Sequence, residues 1–158
     1  RFCELTQELG IMAGMEFMAF IETKTLDHVM RIIRAANHPN GTLALDTLHL
    51  MRNGSCPADL AGIGPDGIGY VQICDGPPTM APDDHYYEAV NNRQAPGEGS
   101  FPLLDALDHI AVDRCLSLEA PMDKRREAGM DALARARLLN QAARSVLRQH
   151  QARLDARH

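Results

Sequence analysis

Four short apolar runs, each carrying or closed by a polar residue, punctuate the chain up to residue 119. Residues 11–20 (IMAGMEFMAF) enclose Glu16, Leu43–Leu45 stop at Asp46, Tyr70–Cys74 enclose Gln72 and stop at Asp75, and Arg114–Leu118 stop at Glu119. Unbroken apolarity over a few residues marks a strand buried on both faces, as in a parallel sheet. Between the runs the spacing turns helical. Leu26, Val29, Ile32, Ile33 and Ala36 make one apolar face behind Thr25, a good N-cap, and Asn37–Gly41 stops that helix. A short helix is predicted around Asp59–Ala61, and a longer one from Phe101 to Ile110 with apolar residues at 103, 104, 107 and 110. Residues 76–100 read as a long loop bearing proline and glycine, with a helical turn around Tyr86–Val90. Loops this long in compact domains are usually functional or mobile. Residues 124–154, rich in Ala, Leu, Arg and Gln, predict a long terminal helix with a break near Gly129.

Strands alternating with helices imply a parallel sheet with right-handed crossovers. The polar positions 16, 46, 72 and 119 are 30, 26 and 47 residues apart. The first two spacings suit one strand–helix unit each, and the third suits one unit plus the long loop. Parallel strands in register carry these side chains to one end of the sheet, where barrel enzymes keep their active sites. The expected organisation is a sheet-bearing unit over residues 1–123 and a helical extension over 124–158 that packs on it.

Composition narrows the class. At 158 residues with 45% hydrophobic content, the chain suits one domain with a real core. No apolar run approaches the roughly 18 residues of a membrane span, and no signal-peptide pattern opens the chain. Cys3, Cys56, Cys74 and Cys115 are scattered without C-x-x-C spacing, so reduced thiols in a cytoplasmic protein are expected. The net charge of −5 is uneven: residues 1–123 hold 18 acids against 7 Lys/Arg, and residues 124–158 hold 3 against 9. An acidic body is a poor nucleic-acid binder and a reasonable holder of a cation. The basic tail lacks aromatics and reads as a solvated helix face rather than a nucleic-acid or membrane surface.

Asp46 and His49 stand where an acid and an imidazole reach one ligand together. Asp46 capping the next helix while His49 merely packs is the competing reading. Three carboxylates, Glu16, Asp46 and Glu119, with the Gln72 amide oxygen make an all-oxygen donor set. Such a set suits a divalent cation such as Mg²⁺, Mn²⁺ or Co²⁺, which also relieves the mutual repulsion of the acids. A metal of this kind polarises a carbonyl, and a neighbouring carboxylate then moves the proton on the adjacent carbon through an enediolate.

Met15-Glu-Phe, Leu45-Asp-Thr-Leu-His-Leu, Val71-Gln-Ile-Cys-Asp, Arg93 with Pro96-Gly-Glu-Gly, and Leu116-Ser-Leu-Glu occur in this order over residues 11–121. Together they resemble the second half of the xylose isomerase-like TIM barrels, the sugar phosphate isomerase/epimerase superfamily. The resemblance implies an α/β fold of parallel βα units forming the C-terminal half of a (β/α)8 TIM barrel, followed by a long C-terminal helix. It implies that Glu16, Asp46, Gln72 and Glu119 ligate a divalent metal and that His49 and Arg93 hold substrate oxygens. Glu16 and Glu119 are also its candidate acid/base groups.

The implied reaction is metal-dependent isomerisation or epimerisation of a small sugar or polyol. Gln72 stands where many epimerases carry His and resembles the branch that dehydrates dehydroshikimate-type hydroxy-keto acids, so a metal-dependent dehydratase is the alternative. A truncated barrel acting as a binding module is the second alternative. A full barrel needs about 250 residues. The partner expected besides the small-molecule substrate is therefore a missing N-terminal half-barrel or a second copy of the chain.

Overall fold

Each of the four apolar runs forms a strand, and the helices fall between them. The protein is described here from a computed structural model covering residues 1–64 and 66–157. The strands are β1 (Ala13–Met15), β2 (Gly41–Asp46), β3 (Ile68–Ile73) and β4 (Leu116–Leu118). They pair in sequence order and all in parallel, as half of an eight-stranded barrel would. β1 and β4 are the edges and are short, three residues each.

Alternation explains why a parallel sheet in this chain is apolar on one side and polar on the other. Leu43, Leu45, Val71 and Ile73 are buried and join Leu116, Leu118, Met15 and Phe17 in the core beneath the helices. Residues of the opposite parity are Gly14, Ala44, Asp46, Tyr70, Gln72 and Ser117. The register pairs Asp46 with Gln72 and Gln72 with Ser117. A bulge keeps the two sets apart: Leu43 pairs with Ile68 but Ala44 pairs with Tyr70, so Gly69 is the extra residue.

The helix after β1 is α2 (Leu26–Ala36). Thr25 caps it as expected, its Oγ1 accepting from the His28 N–H at 3.2 Å, and Asn37 closes it in the left-handed region at φ 45°. It buries Leu26, Val29 and Met30, whereas Ile32 stays exposed. Preceding β1 is α1 (Phe2–Glu8), which buries none of its side chains and so leaves no apolar stripe in the sequence. After β2 comes α3 (Thr47–Arg52), then a 3₁₀ turn at Pro57–Gly62 where the short helix was expected.

The long loop carries α4 (His85–Asn91), around the turn predicted at Tyr86–Val90. The helix predicted from Phe101 is shorter, α5 (Leu103–Leu107), because Pro102 biases Phe101 to extended backbone. The Phe101 N–H goes instead to Asp75 Oδ1, at 2.9 Å. The chain ends in α6 (Asp123–Glu127) and α7 (Ala132–Asp155), separated at Gly129, whose φ is +91°. Through Ala143 and Val146, α7 joins the two hydrophobic clusters. No helix among the described residues is long and apolar enough to cross a membrane.

Candidate functional site

All the polar residues singled out above sit at the carboxyl ends of the strands or on the elements that follow them. Glu16 comes directly after β1, Asp46 ends β2, Gln72 lies near the end of β3, and Glu119 directly follows β4. His49 is one turn into α3, and Arg93 follows α4.

Asp46 is fully buried and serves two masters. Its Oδ1 accepts the Leu48 N–H at 2.7 Å and so caps α3; its Oδ2 accepts from Arg93 Nη1 at 2.6 Å. The capping reading and the site reading therefore hold together. Arg93 is held in turn by its Nε donating to the Ala89 carbonyl at 2.8 Å, while Nη1 also reaches the Glu119 carbonyl at 3.1 Å and its Oε2 at 3.4 Å. Gln72 Nε2 donates a very short hydrogen bond to Glu119 Oε2. His49 Nε2 lies 4.0 Å from both Glu16 Oε1 and Asp46 Oδ2. The six residues thus form one continuous polar network drawn from four strand–loop units.

Burial and like charge set the ionisation of this network. Burial first, and then the nearby Asp46 and Glu119, push the Glu16 carboxyl up to about 7. Glu119 is also raised, chiefly by burial. Burial and the Arg93 charge push His49 down to about 4, which leaves a neutral imidazole at neutral pH. For Arg93, burial opposes the charge but Asp46 outweighs it, and the guanidinium is held more firmly protonated than usual. Burial pushes the Cys74 thiol up to about 12, so it is an inert core residue.

Donor atoms of Glu16, Asp46 and His49 all lie within 4.8 Å of one another. Metal–ligand bonds of about 2.0–2.2 Å bring opposed donors within about 4.4 Å, so small side-chain shifts suffice for one ion. A neutral His49 and two clustered carboxylates fit a divalent cation. His49 Nδ1 is buried and has no hydrogen-bond partner among the described residues, which is unusual for a buried polar atom and marks a contact still to be made.

The sequence held His49 for substrate oxygens; the geometry gives it a place beside the acidic donors as well. Hydrophobic spacing did not reveal the wall beside it, where Phe20 packs edge-on to the His49 ring at 5.5 Å and Tyr86 packs on Phe20 at 5.3 Å. Nor did it reveal the buried pair of Arg52 and Glu88, since a charge in a turn and a charge in a long loop look like solvated residues. Asp75 is a loop clasp: its carboxylate accepts the N–H groups of Gly76, Gly97 and Phe101 at 2.8–2.9 Å.

A family model described as xylose isomerase-like TIM barrel matches residues 1–146. No curated protein matches the sequence. Among solved structures, a xylose isomerase-like TIM barrel/4-hydroxyphenylpyruvate dioxygenase fusion protein is 27% identical, with a TM-score of 0.65 over 77% of this chain and 20% of that one. The IOLI protein with a bound zinc atom is 20% identical, with a TM-score of 0.74 over 93% of this chain and 52% of that one. A xylose isomerase domain protein from Alicyclobacillus acidocaldarius subsp. acidocaldarius is 24% identical, with a TM-score of 0.62 over 89% and 54%. The chain therefore spans about half the length of the second and third of these structures, and a fifth of the first.

Proposed function

Because the chain belongs to the xylose isomerase-like TIM barrel family, we propose that it carries the metal-dependent proton-transfer site of an isomerase or epimerase of small sugars or polyols. The observation that carries this reading is the meeting of Glu16, Asp46 and His49 at one end of the sheet, with Arg93, Gln72 and Glu119 joined to them. In this reading Glu16, Asp46, Gln72 and Glu119 hold a divalent cation, and zinc in the similar IOLI structure supports such a cofactor in general terms. When bound, the metal supplies Lewis acidity toward a substrate carbonyl.

The chain's own residues do the rest. Arg93 and His49 take substrate oxygens, with the unpartnered His49 Nδ1 as one available polar atom. Glu16 and Glu119, both with raised carboxyl pKa, move the proton on the carbon next to the carbonyl, leaving an enediolate that is reprotonated elsewhere. Phe20 and Tyr86 keep water from one side of His49. The four strands are read as the C-terminal half of the barrel, completed by an N-terminal half or by a second copy. Residues 124–158 are read as an extension packed on that unit.

Gln72 favours one second reading, a dehydratase of a cyclic hydroxy-keto acid, which shares the enolisation and adds departure of a β-leaving group. Incubation of the Mn²⁺- or Co²⁺-loaded protein in D₂O with a panel of ketoses and dehydroshikimate separates the two. An isomerase returns a deuterated, rearranged sugar; a dehydratase returns an unsaturated product absorbing in the ultraviolet. Metal bound with no deuterium in any substrate would instead favour a binding module without turnover.

A further inference from the structure

Arg52 and Glu88 form the most deeply buried ion pair in the described chain, with side chains 3% and 1% exposed. The bond is two-pronged: Arg52 Nε donates to Glu88 Oε2 at 2.6 Å and Nη2 to Oε1 at 2.7 Å. Nη2 also donates to the Pro77 carbonyl at 2.9 Å, and the guanidinium lies 4.9 Å over the Phe101 ring. Backbone closes in on the pair from the remaining side. A Cβ added at Gly76 would meet Phe101 Cζ at 2.7 Å, Arg52 Nη2 at 2.9 Å and Glu88 Oε1 at 3.0 Å.

Such a pair is a poor device for stability alone. Removing two charges from water costs about as much as their attraction returns, and apolar residues of similar volume are often as stable or more so. Its placement points to another use. Arg52 is on α3, three residues past His49 and so one turn along the same face. Glu88 is on α4, where the next residue, Ala89, presents the carbonyl that holds Arg93 Nε. Pro77 lies on the segment leaving β3. The pair therefore ties together the elements that bring His49, Arg93 and Gln72 to the site.

We infer that Arg52 and Glu88 are a positioning pair that sets Arg93 and His49 relative to each other, an inference that rests on the proposed role of those two groups at the substrate. Neither residue touches the site. Their effect passes through α3 and through the Ala89 carbonyl.

The test uses the full chain and two variants: Arg52→Met/Glu88→Leu, which keeps volume without charge, and Arg52→Lys, which keeps charge without the planar fork. Read out are the melting midpoint, the ¹⁵N–¹H signal of Arg93 Nε in metal-free protein, and Co²⁺ affinity by titration. The expected result is a double variant melting at or above the wild-type midpoint with the protected Arg93 signal lost and Co²⁺ bound about 10–100-fold more weakly. Arg52→Lys should move the Arg93 signal the same way, and it decides if the double variant does not fold. A folded variant whose Arg93 signal stays as protected as in the wild type overturns the inference. Should wild-type protein bind no Co²⁺, the proposed function fails, while the Arg93 signal still decides the role of the pair.

Discussion

Asp46 and Arg93 meet at 2.6 Å with both side chains almost wholly out of water, and the same aspartate caps a helix with its other oxygen. The two halves of one carboxylate thus stabilise the fold and neutralise the site's cation. Breaking a buried pair from one side costs about 3–5 kcal/mol, and losing a cap about 1 kcal/mol. Arg93→Met should therefore lower metal-free stability by about 3–5 kcal/mol, because it leaves Asp46 and Glu119 uncompensated. Mn²⁺ should restore more of the melting midpoint in this variant than it adds to the wild type. Equal shifts with Mn²⁺ would show that the metal does not meet these carboxylates.

His49 separates two roles that geometry places side by side. With His49→Ala and Arg93→Ala, turnover should fall while metal content, read by atomic emission, stays. Asp46→Ala should lose the metal altogether. Wild-type turnover in both the His49 and the Arg93 variants of a reconstituted full-length enzyme would remove them from the substrate. Loss of metal in His49→Ala would move that residue into the ligand set.

The pH dependence of metal-free stability follows from two opposite shifts. Glu16 sits at about 7 in the fold against an ordinary 4.5, so its protonated form is favoured and stability falls as pH rises from about 4.5 through 7. His49 sits at about 4 against an ordinary 6.5, so its neutral form is favoured and stability falls as pH drops from about 6.5 to 4. The two oppose each other at intermediate pH. Glu16→Gln should therefore leave a midpoint that rises from pH 4 to 6.5 and then stays level, in a thermal melt series. A variant that still loses stability toward pH 7 would locate the raised carboxyl elsewhere.

Completeness is a matter of size. β1 and β4 expose unpaired strand edges, and neither run holds a lysine or proline that would discourage pairing. The isolated chain should elute as a dimer or larger species, or associate with a separately expressed N-terminal half. Light scattering that found a monodisperse, cooperatively unfolding monomer would set aside the half-barrel proposal.

The sheet was legible because burial on both faces leaves an apolar run that no helix spacing imitates, as at Leu43–Leu45. Thr25 and Gly129 announced a helix start and a helix break through local chemistry alone. The four polar strand positions were legible for the opposite reason: a carboxylate or amide beside a buried run is costly without a partner. What escaped depends on contacts far apart in sequence. Arg52 meets Glu88 across 36 residues and Phe20 meets His49 across 29, and neither leaves a period or a motif. Met30 rather than Ile32 is buried in α2 because the stripe follows the helix twist, not bulk. Nothing marked α1, which packs so little that sequence and burial have little to say to each other.

Gly69 makes chain length itself part of the site's specification. Ile68 points into the core with Leu43, and one residue further on the strand would normally alternate; the bulge absorbs Gly69 so that Val71 and Ile73 still face the core while Gln72 stays level with Asp46. Losing Gly69 would straighten β3 without exchanging its faces. Losing any one residue between Tyr70 and Gln72 would turn the apolar side outward and send the amide beneath the helices. In β3, then, a lineage can trade side chains freely but has only one position at which it can spare a residue.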